Sequence, residues 1–280
     1  MLMIPLLNYS GIISFILLTG ILIPGFSNYY DPEKAEDSLM ILFMELGSAT
    51  SPDKQKQLNT SIIDILKETL KNPGSFDYPF DSVPSMGKAY SQDRSLRIYS
   101  WHYSESPVRH HYSGFLQLRD KESNRIDLFF LNHKETNDKN IENRSFSHKN
   151  WYGALYYQVH KIHYDNRKFY TLIGFDFNNY FTNVKIIDVL TFIENKPVFG
   201  YPIFRFGDDL KHRIVFEYSA GVVMFLRYVP DLDMIVYDHL SPSLPRFRGQ
   251  YRYYGPDLSY DALRFKNGFW VHVSDIQFNK

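Results

Sequence analysis

The chain has 280 residues, carries 31 basic and 31 acidic side chains, and contains no cysteine. Balanced charge gives no global field that would draw the protein to nucleic acid, so we expect no nucleic-acid partner. The lack of cysteine excludes disulfides, thiolate catalysis and cysteine-ligated metal sites.

The N-terminus has the pattern of an export signal. Residues 11–23 are almost entirely apolar, Pro24 ends the run, and the small residues Gly25 and Ser27 lie in the spacing of a cleavage site. This predicts a signal peptide at residues 1–27 and a product that is periplasmic, associated with the outer membrane or secreted. The alternative is an uncleaved anchor, the only membrane contact we expect, although the run is short for a span of about 20 residues.

Two amphipathic runs follow. Each begins with a cap pattern that places a proline at the first helical position, at Pro32 and at Pro52. Apolar residues then recur at helical spacing. We predict two antiparallel helices over about residues 32–72 and a linker to residue 87, so that residues 28–87 form a helical pair with its linker.

The rest of the chain, residues 88–280, has the pattern of an antiparallel all-β domain. Short polar turns centred near Asn166, Asn195, Leu232 and Asn267 separate apolar runs, and aromatic residues, which favour strands, make up 17% of the chain. We therefore predict a mainly β fold, an antiparallel meander preceded by the helical pair. The regular spacing of the turns suits propeller blades, and a sandwich fits the same pattern.

Several segments of this β region resemble a family of exported proteins. They are residues 151–157, 174–178, 182–190, 237–243 and 254–261. They are similar to uncharacterised exported β-rich proteins of Bacteroidota, and the resemblance covers about residues 95–275. It implies export and no particular activity, so it transfers no catalytic residue.

Catalytic motifs are scarce. The sequence contains no nucleophile elbow, zinc helix, Walker loop or dinucleotide fingerprint, which argues against the common exported hydrolases and against nucleotide enzymes. The histidine pairs at residues 110–111 and 160–163 point to opposite faces of a strand, so we predict no metal site and no cofactor. Asp238 and His239 end an apolar strand, and strand ends are where a β scaffold carries binding groups.

One segment interleaves arginine with aromatic residues. Its candidate ligand-binding residues are Arg246, Arg248, Tyr251, Arg252, Tyr253 and Tyr254. Arginine pairs with carboxylates and aromatic rings bind sugars or peptides. The structural alternative is a strand with its rings inward and its arginines outward.

The sequence therefore predicts an exported cell-envelope protein that is a non-enzymatic binding or structural module, with an envelope protein, a glycan or a peptide as its partner. One alternative is an exported hydrolase acting on glycans or peptides, with Asp238, Asp257 and Asp261 as its acids. A second alternative is a subunit of an envelope or secretion assembly.

Overall fold

The computed structural model describes residues 31–134 and 140–278. The predicted helical pair is present as α1 (Pro32–Ser48) and α2 (Pro52–Thr69). Asp31 caps α1, because its side chain accepts a hydrogen bond of 3.1 Å from the backbone N–H of Lys34. The predicted signal peptide lies outside the described residues. Among the helices within them, none has both the length and the apolar character needed to cross a membrane.

The described part of the chain forms sixteen strands, which confirms the predicted mainly β fold. In chain order they are β1 (Gly87–Tyr90), β2 (Leu96–Ser106), β3 (Arg109–Arg119), β4 (Ile126–Asn132), β5 (Phe146–Ser147), β6 (Leu155–Tyr164), β7 (Arg167–Asp176), β8 (Thr182–Ile193), β9 (Lys196–Phe199), β10 (Phe204–Phe206), β11 (Asp209–Lys211), β12 (Ile214–Ser219), β13 (Leu226–Val229), β14 (Met234–Pro242), β15 (Tyr254–Lys266) and β16 (Phe269–Val273).

The strands form three sheets. Sheet 1 is the meander β1-β2-β3-β4. Sheet 2 has the order β5-β9-β8-β7-β6, and β12 also pairs with β8. Sheet 3 has the order β11-β10-β16-β15-β14-β13. The pairs are antiparallel except that of β10 with β16, in which Phe204 lies opposite Trp270.

Helices and sheets pack face to face as successive layers. Because neighbouring strand residues point to opposite faces, Tyr99 and Trp101 of β2 pack against the helices whereas Ile98 packs towards sheet 2. In sheet 2, Leu172 belongs to the core shared with sheet 1 and Ile173 to the core shared with sheet 3. The meanders thus pack sheet on sheet, as in a sandwich, with a third layer added.

The predicted turns are hairpin connections. Asp165 and Asn166 have φ angles of 48° and 58° between β6 and β7, and Glu194 and Asn195 have 49° and 59° between β8 and β9. Two successive residues with positive φ are typical of the tight turns that match the twist of paired strands. Asn267 continues the pattern, with a φ of 52° between β15 and β16.

Side chains of β6 cover the edge of sheet 3. The side-chain amide of Gln158 donates to the backbone carbonyl of Tyr228 over 3.2 Å and accepts from the N–H of the same residue over 2.9 Å. The Tyr157 hydroxyl donates to the carbonyl of Leu226 over 2.9 Å. Three backbone groups of edge strand β13 are therefore paired with side chains of the neighbouring sheet.

Candidate functional site

Residues 246–254, which we call the Arg-aromatic segment, connect β14 to β15. The alternative interpretation of this run as an alternating strand is wrong for most of its length. Pro245–Phe247 and Tyr251–Tyr253 form 3-10 turns, and Gly249 between them has a φ of 78°. Proline and a left-handed glycine cannot continue a strand ladder, so the chain folds into a compact exposed loop.

Two rings of this segment stack on each other. The ring centroids of Phe247 and Tyr253 are 4.1 Å apart with an interplanar angle of 22°. The guanidinium of Arg246 lies 5.0 Å from the centroid of Phe247, and that of Arg252 lies 4.7 Å from the centroid of Tyr253. One face of each ring is thus occupied by the other ring, and a cation is held against each.

The remaining aromatic side chains brace the loop. Tyr251 and Tyr254 have ring centroids 5.1 Å apart, and the Tyr254 hydroxyl accepts a hydrogen bond of 2.9 Å from the N–H of Gly249. Tyr254 is half-buried, whereas Tyr251 is 45% exposed. Tyr254 therefore fixes the loop, and Tyr251 is free to contact a partner.

The arginines of the segment present unneutralised charge. Arg246, Arg248 and Arg252 are all exposed. None of them forms an ion pair with a carboxylate anywhere in residues 31–134 and 140–278. Three positive charges close together in sequence, two of them positioned by rings, form a surface that can pair with carboxylates.

The structure separates Asp238 from His239. A register shift between Asp238 and Leu240 marks a bulge in the pairing of β14 with β15. The buried Asp238 carboxylate accepts a hydrogen bond of 2.6 Å from the N–H of Phe225, so it holds the start of β13. Asp238 and His239 lie three to four residues along β14 from Pro242, which pairs with Tyr254. They are therefore roughly 13 Å from the Arg-aromatic segment and are not part of it.

His239 belongs to a polar cluster on sheet 3. Its Nδ1 lies 2.8 Å from the Asp261 carboxylate, and its Nε2 lies 4.0 Å from the carboxylate of Asp257. The Nε2 of His272 lies 3.5 Å from Asp261 on another side. The hydrogen bond with Asp261 raises the pKa of His239, and burial opposes this effect. An imidazole oriented by a carboxylate can act as a base, as in hydrolases.

The same cluster fixes the ionisation of Asp261. Burial alone would raise the pKa of this carboxyl, but hydrogen bonds from His239 and from the N–H of Asp275 hold it below the ordinary value. Within the described ranges, no three histidine, aspartate or glutamate side chains are arranged to hold a metal ion.

Sequence reasoning did not find a basic pocket beside β13. It contains Lys185 of β8 and Arg227 of β13, with Tyr157 on one wall. The signal was present, since Lys185 interrupts an apolar strand in the same way as the buried Asp188. Neither residue could be placed without knowing which face of β8 meets sheet 3.

The chain matches no protein-family model, no curated protein sequence and no solved structure.

Proposed function

We propose that this chain is an exported, non-enzymatic protein-binding module of a Gram-negative cell envelope, and that the Arg-aromatic segment is its contact surface. The observation that carries the proposal is the arrangement of Arg246 and Arg252 over the stacked Phe247 and Tyr253, without a carboxylate partner among the described residues. An arginine already held on a ring loses less freedom when it forms a hydrogen-bonded pair.

A protein partner fits this surface better than a glycan. A sugar needs a free aromatic face, and Phe247 and Tyr253 already cover one face of each other. The apolar groups exposed beside the arginines are Leu244, at 44%, and Tyr251, at 45%. Tyrosine and arginine next to exposed apolar surface are the composition of interface hot spots. We therefore expect a partner with an acidic rim around an apolar patch.

The envelope location is supported by the pattern of the first 27 residues and by the resemblance to exported Bacteroidota proteins. A periplasmic, outer-membrane-associated or secreted protein with no cysteine depends on its packed layers for stability. Such a protein can serve alone or as a subunit of an envelope or secretion assembly, and both uses need a protein-binding surface.

Site-specific photocrosslinking tests this proposal. A photoreactive phenylalanine at Tyr251 is expected to trap a discrete protein in the envelope of the host cell. The same group at Met44, which is 69% exposed on α1, is the control position. The adduct at residue 251 should be lost when Arg246 and Arg252 are both replaced by Glu, and it should weaken with salt.

The matched charge control replaces the exposed Lys56 and Lys67 of α2 by Glu. This variant should keep the adduct. The proposal fails if the adduct survives reversal of the two arginines, if the same proteins are trapped from Met44, or if only polysaccharide is captured.

A hydrolase acting on glycans or peptides is the second candidate function. The observation that favours it is the imidazole of His239, 48% exposed and bound through Nδ1 to Asp261. If this candidate is right, replacement of Asp261 by Asn abolishes a hydrolytic activity of the purified protein while the crosslink at Tyr251 remains.

A further inference from the structure

A pocket opens between sheets 2 and 3 at the edge strand β13. Its volume is about 610 Å³, within the range of small-molecule sites. Met224, Phe225 and Tyr157 line it, together with the two cationic side chains of Lys185 and Arg227. The pocket thus combines apolar walls with two positive groups.

Hydrogen bonds within the protein hold the walls of the pocket in place. The hydroxyl of Tyr157 is bound to the carbonyl of Leu226, and the amide of Gln158 pairs with both backbone groups of Tyr228. On the other side, the Asp238 carboxylate binds the N–H of Phe225 over 2.6 Å. A pocket formed by such fixed elements does not need to be ordered by its ligand.

Neither cation of the pocket lies within ion-pair distance of a carboxylate in the described part of the chain. In residues 31–134 and 140–278, neither Lys185 nor Arg227 forms an ion pair, and Lys185 has no hydrogen-bond acceptor. The Lys185 ammonium lies 5.2 Å from the centroid of the Tyr157 ring. The carboxylate that acts on it electrostatically, Asp238, is already engaged by the backbone of Phe225. A half-buried ammonium in this state favours an incoming anion.

The pKa of Lys185 is lowered, as expected for a half-buried ammonium beside a second cation. Burial, followed by the charge of Arg227, lowers the pKa of Lys185 to about 8, and Asp238 compensates only in part. Such a pKa lies within the accessible range, so the charge of the pocket can be changed by pH in the intact protein.

We propose that this pocket binds a small organic acid with an apolar or aromatic body, whose carboxylate lies between Lys185 and Arg227. The body of the ligand packs against Met224 and Phe225, and it covers Val223, whose side chain is 88% exposed at the pocket. Apolar contact and charge are both needed: a bare anion leaves the walls wet, and a neutral molecule leaves the cations unpaired.

Methyl NMR of the intact protein, labelled at methionine, provides the direct test. The probe is phenylacetate, compared with its neutral amide and with inorganic phosphate. Phenylacetate should shift the Met224 methyl signal saturably and leave that of Met86, which lies in the core between the helices and sheet 1, unchanged. The amide and phosphate should each bind at least about tenfold more weakly, since each lacks one of the two interactions.

Two substitutions and a pH series follow. Lys185→Met and Arg227→Gln should each reduce the affinity for phenylacetate about ten- to a hundredfold. Lys168→Met, at an exposed lysine outside this pocket, is the control and should leave the affinity unchanged.

The charged or titratable groups around Lys185 decide the pH dependence. They are Tyr157 on β6, Tyr218 on β12, Arg227 on β13 and Asp238 on β14. Burial raises the pKa values of both tyrosines, so they stay neutral. Affinity should therefore be nearly constant between about pH 6 and pH 7, where the carboxyl group of the probe is ionised and Lys185 is protonated. It should fall as pH rises through about 8, because Lys185 loses its proton.

Four results would overturn the proposal. They are the lack of a saturable shift at Met224 up to the solubility limit of the acid, equal affinities for acid and amide, phosphate binding as tightly as phenylacetate, and affinity that is unchanged by pH and by both substitutions. The NMR titration of the unmodified protein decides the question even if Lys185→Met fails to fold.

Discussion

Arg213 and Asp188 form an ion pair from which solvent is fully excluded. The Nε of Arg213 lies 3.3 Å from Oδ2 of Asp188, and both side chains are 0% exposed. The arginine also donates to the carbonyls of Ile141 and Arg144, so it anchors the 3-10 turn Ile141–Asn143 to the face of β8. A charge buried in this way depends on its partner.

Removal of either member of this pair should destabilise the protein strongly. Asp188→Asn and Arg213→Met should each lower the free energy of unfolding by about 3–5 kcal/mol, because each leaves a buried group without its partner. The double variant Asp188→Asn/Arg213→Met should lose less than the two single variants added together, because it leaves no buried charge unpaired. Urea unfolding of the three proteins measures this, and strict additivity would show that the pair is not coupled.

Arg97 is expected to be equally important for the segment after α2. Its guanidinium is fully buried and donates to four backbone carbonyls, those of Ser75, Phe76, Tyr78 and Pro79. Arg97→Met should lower the free energy of unfolding by about 3 kcal/mol or more, because it leaves all four carbonyls without their donor. Arg97→Lys should cost somewhat less, because an ammonium can still donate to some of the four oxygens, although it cannot reach all of them. Arg125→Met, at an exposed side chain, should change stability by less than about 0.5 kcal/mol. A cost for Arg97→Met equal to that of the control would contradict this role.

Gly200 should not tolerate a side chain. Its φ is 85°, and a Cβ atom there would lie 2.6 Å from the carbonyl oxygen of Arg144 and 2.6 Å from a guanidinium nitrogen of Arg213. Gly200→Ala should therefore lower the free energy of unfolding by about 2–4 kcal/mol. Gly47→Ala is the matched control, because nothing lies within 4 Å of that position in α1, and it should stabilise by about 0.5–1 kcal/mol. Thermal melts of both variants are sufficient to distinguish these effects.

His239 should give a pH dependence with a defined sign. Its pKa is raised in the folded protein by Asp261, so the pair contributes stability that is fully present below the unfolded value of about 6.5 and is lost as pH rises through the folded pKa. NMR titration should place the pKa of His239 above 6.5 and return it towards that value in Asp261→Asn. His102, whose pKa burial lowers to about 4, should be unaffected and serves as the internal reference. A titration of His239 that is unchanged in the variant would exclude the hydrogen bond as the cause.

Local patterns predicted most of the fold. Proline caps placed both helices, and pairs such as Asp165 with Asn166 placed the hairpins, because these conformations depend on neighbouring residues alone. Residues 198–204 have the apolar composition of a single strand, but Gly200, with its positive φ, separates β9 from β10. A glycine permits such a break without requiring it, so the sequence could not decide.

The candidate sites were harder to predict. The composition of the Arg-aromatic segment was evident, but the stacking of Phe247 on Tyr253 depends on a loop conformation that alternation alone does not specify. Arg97, Asp188 and Arg213 would be assigned to the surface by their charge, and only the packing of layers buries them. Lys185 is a candidate ligand-binding residue for the same reason, because the packing of sheet 3 on sheet 2 encloses its side chain in a pocket.

The layers follow one another in nearly the same order in space as along the chain. The helical pair comes first, then sheet 1, and each later meander finds the preceding sheet as its packing surface. β12 departs from this order, because it returns to complete sheet 2. Short-range pairing of this kind lowers the entropy cost of forming each sheet. A chain emerging from its N-terminus can therefore assemble progressively. Among the described residues, the last apolar surface to be covered is the outer face of sheet 3, against which Ile276 and Phe278 pack.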